Sequence, residues 1–99
     1  MLHIVNKSPL ERNALDSCLA AAQPGAAVLL IEDGVYAATR GNAAEGKLRA
    51  ACERLDVYVL TPDLEARGMA PSLAEGVKPI DYAGFVDLVV QHKNCQSWL

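Results

Sequence analysis

The sequence predicts an α/β domain, a compact three-layer α/β/α arrangement around a mainly parallel sheet of four or five strands. Three observations carry that prediction. Four short apolar runs, 2–5, 26–31, 57–60 and 77–80, alternate with segments that start and stop like helices, which is the order βαβ crossovers produce. The run Ala26-Ala27-Val28-Leu29-Leu30-Ile31 has no polar alternation, as expected of a central strand covered on both faces. The chain has 99 residues and is 52% hydrophobic, which suits one core and leaves little room for two.

The first strand is read at Leu2–Val5. Ser8-Pro9-Leu10-Glu11 then supplies a hydroxyl for the N-cap, a proline for the first helical position and a carboxylate for a capping box. The spacing predicts a helix from about Pro9 to Ala22. Gln23-Pro24-Gly25 ends it, because proline cannot continue a helix and glycine tolerates positive φ.

After the central strand, Glu32-Asp33-Gly34 marks a turn, and 35–55 reads as two helical pieces separated at Arg40-Gly41-Asn42. Val57–Leu60 is the third strand. Thr61-Pro62-Asp63 repeats the hydroxyl-then-proline start and predicts a short helix to about Arg67. Residues 68–76, with Pro71 inside, read as an irregular surface segment with about one helical turn. Val77-Lys78-Pro79-Ile80 carries a proline, which would remove a ladder hydrogen bond at the sheet centre and so belongs at an edge or a strand end. Asp81 caps a last helix to about Gln91, with Phe85, Leu88 and Val89 at core spacing. The remainder, His92-Lys93-Asn94-Cys95-Gln96, reads as a polar tail.

Composition excludes several functions. The longest apolar runs fall far short of the ~20 residues that span a bilayer, so no membrane segment is expected. Met1–Val5 turns polar at Asn6-Lys7, unlike a secretory leader, and the mature chain is expected to start at Met1. Three cysteines without metal-like spacing suit a reducing compartment, and a cytoplasmic location is expected. Nine Lys+Arg against twelve Asp+Glu argue against a self-sufficient nucleic-acid surface. No dinucleotide loop, phosphate loop or metal-ligand spacing occurs, so no cofactor and no metal are expected.

In open α/β sheets the functional crevice lies at the carboxyl ends of the strands, which collects Asn6, Lys7, Ser8, Glu32, Asp33, Thr61, Asp63, Asp81 and Tyr82 on one edge. The simpler reading is that Ser8, Thr61 and Asp81 are helix caps and the other charges are solvated. His3, inside the first strand, reads as a hydrogen-bonded core or partner-facing histidine rather than a base. The cysteines are the candidate nucleophiles. Cys52 shares a helical stripe with Leu48 and Leu55 and reads as inert core. Cys18 lies at core spacing from Leu15 and Ala22 but beside Asp16 and Ser17, at the possible edge of the stripe. Cys95, in the polar tail near Lys93, is either a reactive thiol or incidental.

Leu2-His3-Ile4-Val5-Asn6-Lys7-Ser8-Pro9 and Leu30-Ile31-Glu32-Asp33-Gly34-Val35-Tyr36-Ala37 resemble the DsrH/TusB family of sulfur-relay subunits. The resemblance continues through Tyr58-Val59-Leu60, Asp63-Leu64, Ala66-Arg67-Gly68, Ile80-Asp81-Tyr82 and Phe85-Val86 to Gln96-Ser97-Trp98, essentially the whole chain. It implies assembly with DsrE/TusD-like and DsrF/TusC-like subunits into a heterohexamer with two copies of each. In such complexes sulfur passes between cysteines as a persulfide toward a downstream acceptor protein, and the principal carrier belongs to the TusD-like subunit. The resemblance further implies service to 2-thiouridine formation at the tRNA wobble position or to dissimilatory sulfur oxidation. Members of the DsrH branch carry a cysteine in the first helix, and Leu15-Asp16-Ser17-Cys18-Leu19 matches that place. Cys18 is therefore the candidate sulfur acceptor. A purely structural subunit with an inert Cys18 is the other reading. The Trp98-Leu99 terminus is expected either at a subunit interface or packed back on its own domain.

Overall fold

The computed structural model describes residues 1–8 and 13–98. Five strands form one parallel sheet in the order β4-β3-β2-β1-β5. β1 spans Leu2–Val5, β2 Ala27–Leu30, β3 Asp56–Leu60, β4 Lys78–Ile80 and β5 Cys95–Trp98. The helices are α1 (Ala14–Ala21), α2 (Glu45–Ala51), α3 (Thr61–Ala66) and α4 (Tyr82–Gln91), and a 3₁₀ segment covers Glu32–Ala38. The N-terminal part of the helix expected from Pro9 lies outside the described residues. The rest of it ends as predicted, before Gln23.

The uninterrupted apolar run forms the central strand. Every residue of β2 is buried, because helices cover one of its faces and α4 reaches the other. Alternation along the strands divides the core in two. Val5, Val28, Leu30, Val57 and Val59 pack with α1, α2, α3 and the 3₁₀ segment. Leu2, Ala27 and Leu29 pack with Leu88 of α4, and Ile4, Ile31, Tyr58, Ile80 and Phe85 join them half-buried. This second layer is thin. Tyr82, Val86 and Val90 of α4 remain exposed, and Val89, expected in the core from its spacing, is 41% exposed because α4 turns only its Phe85–Leu88 side to the sheet.

Pro79 stands in β4, an edge strand as its missing N–H requires. The opposite edge was not legible. Residues 95–98 form β5 and pair with β1 from Leu2↔Cys95 to Val5↔Trp98, although 92–96 reads as a polar tail. Backbone bonds hold this strand while its first three side chains stay exposed, so it carries no apolar pattern.

Two helix expectations are corrected. The first piece of 35–55 is a 3₁₀ segment that begins earlier, at Glu32, and α2 stops at Ala51, short of Leu55. Thr61 lies inside α3 and its side chain makes no capping bond, so Leu60 occupies the N-cap position. Asp81 does cap α4: its Oδ1 accepts the Gly84 N–H at 2.8 Å. The carboxyl end of α1 is closed by Arg54, whose guanidinium donates to the carbonyls of Leu19 (2.7 Å) and Ala22 (3.0 Å).

Candidate functional site

At the carboxyl edge of the sheet, the residues collected from the sequence are largely engaged in holding loops. Glu32 adopts φ +49, outside the usual range for a side-chain-bearing residue, and its N–H donates to Asp63 Oδ2 at 2.7 Å. Asp33 Oδ1 accepts from Arg67 Nε at 3.1 Å and lies 3.0 Å from the second guanidinium nitrogen, while Arg67 also donates to the Asp63 carbonyl at 3.2 Å. Together these bonds tie the 3₁₀ segment to α3. Arg67 was missed as a member of this group, because its carboxylate partner Asp33 lies 34 residues away in the chain.

The 3₁₀ segment also presses onto the end of β1. A Cβ built on Gly34 would stand 2.3 Å from the Val5 carbonyl oxygen, so no other residue fits there. Asn6, just past β1, has a buried Oδ1 without a partner among the described residues. Tyr82 is exposed at the start of α4. No group of three or more His, Cys, Asp and Glu side chains is placed to hold a metal ion among the described residues.

The three cysteines are free and lie in different surroundings. Cys18 of α1 is fully buried in the larger core, at 0% exposure, with Leu15 and Leu19 also buried on the same helix. Burial pushes its thiol up to about 11. At neutral pH that leaves a thiolate fraction of about one in ten thousand. The polar flank expected from Asp16 and Ser17 does not reach the sulfur, because both side chains are on the exposed side of the helix. Cys52 follows α2 and is half-buried rather than sealed in the core, with its sulfur 3.4 Å from where a Cβ on Gly76 would stand. Burial raises its pKa and the charge of Lys78 partly opposes that rise. Cys95 is exposed on β5. Accessibility therefore runs opposite to the order in which Cys18 and Cys52 were ranked from the sequence.

His3 is 4% exposed in the middle of β1. Its Nδ1 accepts the indole N–H of Trp98 at 3.1 Å, and the two ring centroids are 6.0 Å apart. Trp98 packs half-buried against the larger core, so the C-terminal indole turns back on its own chain. Burial, and secondarily the positive amine of the first residue, lower the His3 pKa and keep the ring neutral. No helix among the described residues is long and apolar enough to cross a membrane.

Known proteins match this chain along its length. A family model described as "DsrH like protein" matches residues 7–95. "Protein TusB" of Pectobacterium parmentieri is 41% identical over 98 residues, covering 99% of this chain and all of that protein. "Protein TusB" of Escherichia coli O139:H28 is 38% identical with the same coverage. Among solved structures, the ychN protein from E. coli superposes with a TM-score of 0.81 at 16% identity, covering 98% of this chain and 97% of that one. MTH1491 from Methanobacterium thermoautotrophicum, titled a protein of unknown function, gives 0.71 at 17% identity over 97% and 95%. At such identities the two structures establish the fold alone. The full-length matches to TusB proteins and the family model carry more: the chain belongs to the DsrH/TusB family.

Proposed function

We propose that this chain is a subunit of a cytoplasmic sulfur-relay complex, assembled with DsrE/TusD-like and DsrF/TusC-like partners into a heterohexamer, and that it serves 2-thiolation of the tRNA wobble uridine. The TusB names of relatives at 38–41% identity favour that service over dissimilatory sulfur oxidation. Within the relay its contribution is assembly, with the carrier cysteine on the TusD-like partner. One observation carries this assignment of role: Cys18, the cysteine matching the DsrH position, is sealed in the core with its pKa pushed up to about 11. Accepting sulfur requires a thiolate that can attack the terminal sulfur of a donor persulfide, and the donor must leave as its own thiolate. A buried neutral thiol cannot make that attack. The exposed Tyr82, Val86 and Val90 of α4 support a surface that is covered by partner subunits.

The second reading keeps Cys18 as a sulfur acceptor exposed by partner binding, and it rests on the family position of Leu15-Asp16-Ser17-Cys18-Leu19. Both readings are tested by co-expressing the chain with the neighbouring subunits and loading the complex from a limiting persulfide donor. Peptide mapping then locates the mass gain of about 32 Da, one sulfur atom. Sulfur on a partner cysteine, with transfer unchanged in a Cys18→Ala chain, supports the assembly role. Sulfur on Cys18, with transfer lost in that variant, establishes the second reading. A chain that stays monomeric beside its co-expressed partners in sedimentation would remove the relay assignment itself.

A further inference from the structure

Helix α4 lies on the sheet by one side only. Phe85 and Leu88 pack toward the strands, while Tyr82, Ala83, Val86, Val89 and Val90 are exposed. At about 100° per residue these exposed positions form one continuous stripe, bordered by Asp87 and Gln91. Valine and alanine lose little rotamer freedom when covered, so the stripe is suited to burial by another surface.

The stripe reads the same in both directions. Reversing α4 about Val86 carries Tyr82 onto Val90 and Ala83 onto Val89, so the exposed apolar set maps onto itself with Val86 at its centre. A contact between two copies across a two-fold axis demands that symmetry, because each residue meets its counterpart twice, once in each direction. A surface built for a different subunit has no need of it. The charges agree. Two antiparallel α4 helices bring Asp81, exposed at the amino end of one, beside the carboxyl end of the other, where Lys93 is exposed just beyond the helix. Opposite charges and opposed helix dipoles then face each other, whereas parallel helices would set Asp81 against Asp81 and Lys93 against Lys93.

We infer that α4 is the contact between two copies of this chain, packed antiparallel across a two-fold axis at Val86, with Tyr82 of each copy against Val90 of the other and Ala83 against Val89. A single helical stripe is far smaller than the ~20–30 residues a side of a stable interface, so it joins copies that partners have already gathered. To that extent the inference rests on the relay assembly proposed above, and it names the subunit that covers α4.

Cross-linking of the co-expressed complex tests it, in a Cys95→Ser background that removes the exposed native thiol. Val86→Cys stands at the axis, so mild oxidation with copper phenanthroline should give a disulfide-linked dimer of this chain on a non-reducing gel. Val90→Cys is as exposed but should give none, because its two copies lie about 12 Å apart along such a pair, beyond disulfide reach. Adding Tyr82→Cys to Val90→Cys should restore the dimer. Val86→Lys sets two like charges face to face and should weaken the joining of the two halves at least about tenfold, halving the mass in sedimentation while this chain stays bound to its partners. Lys93→Glu should weaken it about two- to fivefold, and Asp81→Asn, which keeps the α4 cap, should recover part of that loss. No Val86→Cys dimer, equal cross-linking through Val90→Cys, an unchanged mass for Val86→Lys, or release of that variant from its partners would each overturn the inference, the last by showing that a different subunit covers α4. A wild-type chain that ignores its co-expressed partners fails the relay reading instead. Cross-linking of the chain alone at high concentration then decides the α4 contact by the same pattern of dimers.

Discussion

The indole of Trp98 and the imidazole of His3 are joined by a 3.1 Å hydrogen bond that ties the side chains of β5 to the buried interior of β1. The bond exists only while Nδ1 is unprotonated, because an imidazolium has two donors and the indole cannot accept. His3 is a base whose folded pKa lies below its ordinary value of 6.5, so the unfolded chain binds the proton more readily. The stability it contributes is complete above pH 6.5 and is lost as the pH falls from there through the lowered folded value. Denaturant titrations at pH 7.5, 6.0 and 5.0 should show a decline that this group makes no steeper than about 1.4 kcal/mol per pH unit. His3→Asn should flatten the part of that slope between pH 6.5 and 5. An unchanged slope would mean that the ring is solvated when charged.

Gly34 should not tolerate even alanine. Its φ is ordinary, and the restriction comes from the Val5 carbonyl oxygen, 2.3 Å from where the Cβ would stand. Backbone cannot yield as a flexible side chain does, so Gly34→Ala must move the 3₁₀ segment or the end of β1. A loss of about 1–3 kcal/mol is expected, as for overpacking in general, measured by chemical denaturation against wild type. Gly46→Ala is the contrasting control. Its Cβ meets nothing within 4 Å at an exposed position of α2, and it should be neutral or slightly stabilising.

The contrast between β2 and β5 shows what could be read in advance. β2 is apolar at every position because helices bury both of its faces, and burial writes itself into composition. β5 is held by backbone bonds to β1 and buries little beyond part of Trp98, so Cys95-Gln96-Ser97 looks like any polar tail. The 3₁₀ form of Glu32–Ala38 depends on contacts distant in sequence, Glu32 with Asp63 and Gly34 against Val5, which no local pattern encodes. The site divides in the same way. The rule for strand ends located the acidic residues, but their engagement by Arg67 is tertiary. Helical spacing from Leu15 and Ala22 already indicated a buried Cys18. The depth of that burial, and the exposure left to Cys52, depended on how α1 and α2 rest on the sheet.

The cap on α4 is a separable contribution. Asp81 Oδ1 satisfies the Gly84 N–H at 2.8 Å at the surface, and the helix behind it buries little besides Leu88. A helix with so thin an apolar contact depends more than most on its termini. Asp81→Ala should cost about 1 kcal/mol, and Asp81→Asn or Asp81→Ser should recover most of it. Hydrogen exchange is the sharper readout, since the loss should concentrate in the first turn of α4 and leave β2 protected. Uniform loss across the sheet would show that α4 and the core unfold as one unit.

Alkylation order tests the picture of the cysteines without any sulfur donor. A thiol reacts through its thiolate and only when reagent reaches the sulfur. Cys95 is exposed on β5, Cys52 is half-buried with a raised pKa, and Cys18 is sealed with its pKa pushed up to about 11. Iodoacetamide at pH 7.5 followed by peptide mapping should therefore label Cys95 first, Cys52 more slowly, and Cys18 at a rate set by unfolding. Raising denaturant toward the unfolding midpoint should accelerate Cys18 far more than Cys95. Repeating the experiment on the co-expressed complex then separates the two roles. If partners open the path to Cys18, its labelling overtakes that of Cys52 and sulfur acceptance at this position becomes chemically accessible. Continued protection of Cys18 while a partner cysteine is labelled rapidly leaves this chain in the assembly role.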